Sequence, residues 1–259
     1  MQSPAHARGL FFGASRRARI FTALCLLTAA LGAHASDPGI APFSAGSAGA
    51  DLPPPWKINI LKNTRRPTHY SLVLEDGTVV LRAQADASMA SVMHPLNSAN
   101  PSALLAWRWK ISNVLRKSDL ATKAGDDAPA RVYVLFDYDI SKLSVIQRAK
   151  IYLARSRYGK DVPAAALCYV WDGKAPVGTS VESPYTDRVR VIVVESGTAH
   201  VNQWREVQRD VAADFRASFG EEAPAVSGIA LAVDTDNTGE KVTAFFGDVR
   251  FIEQPLKAR

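Results

Sequence analysis

From Tyr70 to Ala85 the chain reads YSLVLEDGTVVLRAQA, and its apolar residues recur at every second position on both sides of Asp76-Gly77. Side chains of an extended strand alternate between two faces, whereas those of a helix return about every 3.6 residues. Tyr70, Leu72 and Leu74 therefore share one face, and Val79, Leu81, Ala83 and Ala85 share the face of a second strand. The Asp-Gly between them supplies a two-residue hairpin turn. The same period returns in ALLAWRWKIS, where Leu105, Trp107, Trp109 and Ile111 lie on one face and Arg108 and Lys110 on the other. RVYVLFDYD (131–139), RVRVIVVES (188–196), GIALAVD and VTAFFGDVRF add further β-branched and aromatic runs, with Phe245, Phe246 and Phe251 expected to help close the core.

Two segments follow a helical period instead. SKLSVIQRAKIYLARSRYGKD places apolar residues at 146, 149 and 153, with Val145 and Tyr152 beside them and Arg148, Lys150, Arg155, Arg157 and Lys160 around the rest. This predicts a basic amphipathic helix over 142–158 that packs its apolar stripe on a sheet and leaves its charges in water; the alternative is a helix lying on an anionic membrane surface. HVNQWREVQRDVAADFRASFGEE spaces Trp204, Val207, Val211, Phe215 and Phe219 three and four apart before Gly220, a second helix with its stop. Many short strands and two packed helices predict a mainly β fold, a jelly-roll-like β-sandwich, with α+β as the alternative.

The first 35 residues read as a signal peptide: Arg16, Arg17 and Arg19, an apolar run from Ile20 to Leu31, then the small residues Ala33 and Ala35 of a cleavage site. The run is shorter than the roughly 20 apolar residues of a membrane span. The expected product is periplasmic or secreted, cleaved near Ala35, with no stable membrane span. Cys25 lacks the setting of a lipoprotein, and SRRARIF carries a faint twin-arginine pattern. Cleavage removes Arg8, Arg16, Arg17 and Arg19 and no acidic residue, so 27 Lys and Arg face 25 Asp and Glu, a net charge of +2. The leader, not the domain, is the basic part, and a nucleic-acid partner is not expected. SDPGIAPFSAGSAGADLPPP, residues 36–55, reads as a disordered linker. A single sandwich domain is expected over 56–253, with a tail at 254–259. Cys168, alone after cleavage, sits in AALCYVW and reads as a buried, inert thiol.

Three constellations could carry chemistry. In Asp234-Thr-Asp236-Asn237-Thr-Gly239, oxygen donors alternate along a Gly-bent loop, as in half of a calcium cage. Phe245 stands where an EF-hand needs its bidentate Glu, so that reading fails, and a ligand contact, a metal site and a plain turn remain open. In KAGDDAPARVYVLFD, Asp126 and Asp127 beside Arg131 suit sugar hydroxyls, an ammonium group or acid/base chemistry; the bland reading is a solvated turn. Around YVWDGKAPVGTSVESPYTDRVRVIVVESG, Trp171 and Tyr185 are candidate stacking platforms, with Arg188 and Glu195 at the two ends of a strand. No Gly-rich phosphate loop, Cys/His metal spacing, G-x-S-x-G or H-E-x-x-H is present.

The run WRWKI, KAGDDAPARVYVLFD, AALCYVW, SPYTDRVRVIVVESG, REVQRDVAADFRASFGEEAP and GIALAVDTDNTGEKVTAFFGDVRF resembles the bacterial group catalogued as domain of unknown function 3047, over roughly residues 56–252. The resemblance implies an exported bacterial protein without an assigned activity. The closing segment is also similar, at fold level, to galactose-binding-like jelly rolls. There an Asp in the final strand helps hold a structural Ca2+; Asp248 is the matching position, preceded by Gly247 in place of the more usual second Asp. The metal expectation is therefore none committed, with Asp234, Asp236, Asn237 and Asp248 as candidates. The expected function is non-catalytic binding of a polar ligand, a glycan or cell-envelope component, through Asp126, Asp127, Arg131, Trp171, Tyr185, Arg188, Asp234 and Asp236. The alternatives are a hydrolase pairing Asp126 or Asp127 with Asp234 or Asp236, and an envelope scaffold with a protein partner of unknown kind.

Overall fold

Strand pairing organises the computed structural model, which describes residues 39–62, 64–158 and 162–252. The expected signal peptide and C-terminal tail lie outside these residues. The hairpin forms as its alternation predicts: β2 (His69–Glu75) and β3 (Thr78–Asp86) pair antiparallel with Glu75 opposite Thr78. Asp76 and Gly77 take φ of 50° and 79°, the positive values that let a two-residue turn follow the strand twist.

Two sheets stack into a jelly-roll-like sandwich. The seven-stranded sheet runs, in spatial order, β1 (Lys57–Asn59), β4 (Met89–Ala99), β11 (Val226–Asp234), β6 (Ala128–Phe136), β7 (Ala166–Asp172), β9 (Thr186–Ser196) and β8 (Ser180–Ser183). Among the described residues its β7–β9 pairing alone is parallel. The second sheet runs β10 (Arg205–Asp210), β5 (Leu104–Ile111), β12 (Lys241–Phe246), β3 and β2, and β13 (Arg250–Ile252) also pairs with β5. Inward side chains follow the period of two: Trp107 and Trp109 of β5 meet Tyr169 and Trp171 of β7 across the sandwich at ring separations of 5.4 and 6.2 Å. Each large side chain buried in this way contributes about 1.5–3 kcal/mol.

β7 is buried along its whole length. Its inward residues join the main core, while Cys168 and Val170 on the other face are covered together with Leu120, Ala128, Val191 and Val193. A strand covered on both faces reads as a continuous apolar run, which AALCYVW is.

Three expectations need correction. Residues 39–55 are not a disordered linker: Ile40 and Phe43 are buried in the main core, Ala41 N–H donates to His94 Nε2 at 3.0 Å, and Trp56 Nε1 donates to the Ala41 carbonyl at 2.7 Å. Two apolar residues and a fixed hydrogen-bond pair outweigh a composition poor in them. Residues 204–210 do not begin a helix. Arg205–Asp210 forms β10 on the edge of β5, and only α2 (Val211–Phe219) is helical, capped by Asp210 accepting from Ala213 N–H at 2.9 Å and ended by Gly220 at φ 73°. Edge pairing satisfies backbone groups that a helix would have used internally, so the apolar spacing that looked helical is divided between two elements. Finally, α1 (Val145–Tyr158) does not pack its apolar stripe. Ile151 is buried with Leu143 and Ala164, but Val145, Ile146 and Leu153 are about 70% exposed.

Candidate binding site

The loop that follows β11 and the loop that precedes β6 meet because their strands are neighbours, with Asp234 paired opposite Ala128. Inward positions of β6 are Ala130, Val132 and Val134, so Arg131 and Tyr133 point to the outer face of the seven-stranded sheet. Asp234 and Cys168 join them there by the same parity. Arg131, 2% exposed, donates from Nε to Asp234 Oδ1 at 3.2 Å and from its NH2 group to Asp126 Oδ1 at 3.0 Å. Asp234 Oδ1 also accepts Ala128 N–H at 2.8 Å. Asp127, fully buried, accepts Thr238 N–H at 2.7 Å on one oxygen and Asn237 N–H at 3.3 Å on the other. Thr235 is buried as well, its hydroxyl accepting from Ser88 N–H at 3.2 Å. The acidic loop is thus pinned from behind by buried hydrogen bonds.

The electrostatics follow from burial. Desolvation pushes the Asp234 carboxyl up to about 7; Arg131 opposes the rise, and Asp127 and Asp126 add to it. Asp236, though exposed as a residue, is raised too, by partial desolvation of its carboxyl beside the buried cluster and then by Asp127. Burial pushes the Cys168 thiol up to about 11, so it stays protonated at neutral pH and is a poor nucleophile.

At the surface of this cluster Asp236 and Asn237 are exposed, and the Asn237 side-chain amide donates to the Lys123 carbonyl. Tyr185, in the turn between β8 and β9, is 56% exposed; its hydroxyl reaches the same carbonyl at 3.5 Å, and Lys123 Nζ sits 5.3 Å from its ring centre. Asp126, Asp127, Arg131, Tyr185, Asp234 and Asp236 are therefore gathered in one region.

Three candidates lie elsewhere. Trp171 is not a stacking platform: it is fully buried in the core and its Nε1 donates to the Gly197 carbonyl at 3.1 Å. The period of two puts it on the inward face with Tyr169, opposite in parity to Cys168. Arg188 packs between the rings of Tyr138 and Phe219 at 4.3 and 4.8 Å and donates to the Ala164 carbonyl, beside the end of α2. Asp248 spends both oxygens on Ser44, at 3.0 Å to its N–H and 2.5 Å to its hydroxyl, and so ties residues 43–45 to the sheet. A calcium cage from Asp234, Asp236, Asn237 and Asp248 is therefore not assembled. Among the described residues no three His, Cys, Asp or Glu side chains are grouped to hold a metal ion, and Asp234 is already engaged by the Arg131 guanidinium.

The match to a family model for a protein of unknown function, DUF3047, spans residues 54–250. The chain belongs to the DUF3047 family. No curated protein matches the chain. Among solved structures, similar ones include a family 12 xyloglucanase from Bacillus licheniformis, with TM-score 0.39 and 9% identity over 80% of this chain and 89% of that one. A second is the enzymatically active domain of tailspike protein 4 of bacteriophage CBA120, with TM-score 0.37 and 7% identity over 82% of this chain and 22% of that one. A third is SGBP-B from a xyloglucan utilization locus of Bacteroides uniformis, with TM-score 0.33 and 11% identity over 76% and 50%. This DUF3047 chain spans about a fifth of the tailspike chain and half of SGBP-B. Superpositions at these scores assign no activity.

One group of residues escaped the sequence reading of this DUF3047 domain. On the outer face of the second sheet the Trp204 ring lies 4.5 Å from the Arg108 guanidinium and 5.2 Å from Lys110 Nζ, and Trp204 Nε1 donates to Asp76 at 2.9 Å. A cleft of about 240 Å³ opens on Arg108 too, lined further by Thr78, Glu206, Gln208, Asp248 and Arg250. The signal was present: in WREVQRD charged and polar residues flank a lone Val at strand spacing, masked by the apolar residues on either side. No helix of the described residues is long and apolar enough to cross a membrane.

Proposed function

We propose that this chain is an exported binding protein for a polar ligand of the glycan class, held where the Lys123–Asp127 loop, the loop after Asp234 and the β8–β9 turn meet. One observation supports the reading best: exposed Tyr185 and exposed Asn237 both reach the Lys123 carbonyl, with exposed Asp236 next to Asn237 in the chain, on loops fixed from behind by the Arg131 network. A sugar ring offers an apolar C–H face to an aromatic side chain and hydroxyl groups to carboxylate and amide oxygens, and both kinds of partner stand on this rim. In this reading Tyr185 stacks, Asp236, Asn237 and the outer edge of the mostly buried Asp126 accept hydroxyl donors, and Asp127, Arg131 and Asp234 position the loops.

The reading is non-catalytic because the buried carboxylates are already engaged. Both oxygens of Asp127 and one of Asp234 are held by backbone N–H groups or Arg131. A hydrolase is the second reading, favoured by one observation: Asp234, raised to about 7, shares a guanidinium with Asp126, and a carboxyl group that holds its proton near neutral pH beside a second carboxyl group is an arrangement that suits acid/base work.

Calorimetry of residues 36–259 against soluble envelope-derived glycans separates the two. Asp236→Ala and Tyr185→Ala are each expected to weaken binding about tenfold, about 1.4 kcal/mol, with unchanged melting of the free protein. Reducing-end release abolished by Asp234→Asn would replace binding by hydrolysis. Absence of heat and of release across the panel would sink both.

A further inference from the structure

α1 turns its apolar side outward. Successive residues of an α-helix are rotated by about 100°, which gathers Val145, Ile146, Ala149, Tyr152 and Leu153 into an arc of about 120°. All five are exposed, Val145, Ile146 and Leu153 by 72, 70 and 71% and Tyr152 by 58%. The opposite side fastens the helix to the domain. Ile151 packs on Leu143 and Ala164, Gln147 Nε2 donates to Asp187 at 2.9 Å, and Arg155 Nε donates to the Val162 carbonyl at 3.0 Å. The outward stripe is thus not a packing error in a loose segment but one face of a helix held by the other.

Charge selects what covers that face. From Ile140 to Lys160 the chain carries Lys142, Arg148, Lys150, Arg155, Arg157 and Lys160 and no Asp or Glu. Lys150 borders the apolar arc on one side and Arg148 on the other, and exposed Lys142 precedes the helix. Long basic side chains flanking an apolar stripe keep their charges at phosphate level while their stems lie along the acyl boundary. An exposed tyrosine within the stripe suits the same interface.

We propose that α1 docks this domain in the plane of an anionic phospholipid surface, with Ile146, Tyr152 and Leu153 inserted and Lys142, Arg148 and Lys150 at the headgroups. The proposal is independent of the glycan reading.

The test is flotation of residues 36–259, which contain every buried core residue described here, with vesicles of phosphatidylcholine or of phosphatidylcholine containing about one third phosphatidylglycerol. Binding is expected to the anionic vesicles, at least about tenfold over the neutral ones, and to fall with added salt. Ile146→Asp with Leu153→Asp is expected to abolish it, and Lys150→Ala to weaken it about fivefold. These side chains are exposed, so melting of each variant should match the parent; if the double variant does not fold, Lys142→Ala with Lys150→Ala carries the test. Equal binding to both vesicle types, or binding that the variants leave unchanged, overturns the proposal. So does a failure to float when sedimentation shows a self-association that the Asp variants abolish, because a second copy would then be the occupant.

Discussion

Arg131 and Asp234 form a buried pair at the root of the acidic loop. Both are almost fully buried, and each is held by more than the other: Arg131 by Asp126, Asp234 by the Ala128 N–H. Arg131→Met would leave buried carboxylates without their cation, and urea unfolding is expected to show a loss of about 3–5 kcal/mol. Asp234 makes a separate prediction with a definite sign. Its carboxyl is raised from 3.8 to about 7, so between those values the native state binds a proton that the unfolded chain has released. That contribution is fully present below the unfolded value and is lost as pH rises toward 7. Relative to Asp234→Asn, the parent should lose stability from about pH 4 to pH 7, by at most about 1.4 kcal/mol per pH unit, and level off above. Unfolding curves for both proteins across that range check it; a difference independent of pH would mean that Asp234 remains ionised throughout.

Elements show where local pattern and tertiary pairing compete. The β2–β3 hairpin is decided locally, because alternation and Asp76-Gly77 agree on one register. The segment from Trp204 to Phe219 is not: its apolar spacing suits a helix, yet its first half gains a full edge pairing with β5, from Arg205 opposite Trp109 to Asp210 opposite Leu104. No property of the segment alone reveals that an unpaired edge is waiting for it. The segment around Phe43 poses the same problem in another form, because a single fully buried ring in a Ser, Gly, Ala and Pro background makes little impression on composition. Phe43→Ala is expected to cost about 3–5 kcal/mol. At roughly 2–4 °C per kcal/mol for a domain of this size, thermal melting should fall by about 10 °C. A linker would show no change.

For the whole molecule, two surfaces with different chemistry emerge. The rim at Tyr185, Asp236 and Asn237 is polar, acidic and aromatic, while α1 is basic and apolar. An exported domain that lies on a bilayer and reads polar envelope material would use both. Export has its own measurement: the intact mass of the protein recovered from a bacterial envelope fraction is expected to correspond to a chain beginning near Ser36. A mass that retains Met1–Ala35 would contradict cleavage.

Period-two alternation and turn residues were sufficient, from the sequence alone, for the mainly β class and the first hairpin, because both act between near neighbours in the chain; of the aromatics expected in the core Phe246 is buried there, while Phe245, one position away, lies outside beside Trp204 and Lys110. The family resemblance was legible for the same reason, as blocks of local order. The candidate site was half legible. Asp126, Asp127, Arg131, Asp234 and Asp236 stood out as residue types, whereas Trp171, a candidate stacking platform by residue type, lies buried in the core. That Asp234 shares a guanidinium with Asp126, that Tyr185 joins them, and that Arg188 and Asp248 do not, was decided by the packing order β11-β6-β7-β9 and by the N-terminal segment claiming Asp248. These are long-range pairings. Their free energy comes from burial and hydrogen bonding between segments distant in the chain, 111 residues apart for Asp127 and Thr238 and 62 for Lys123 and Tyr185, and no local period encodes such a choice.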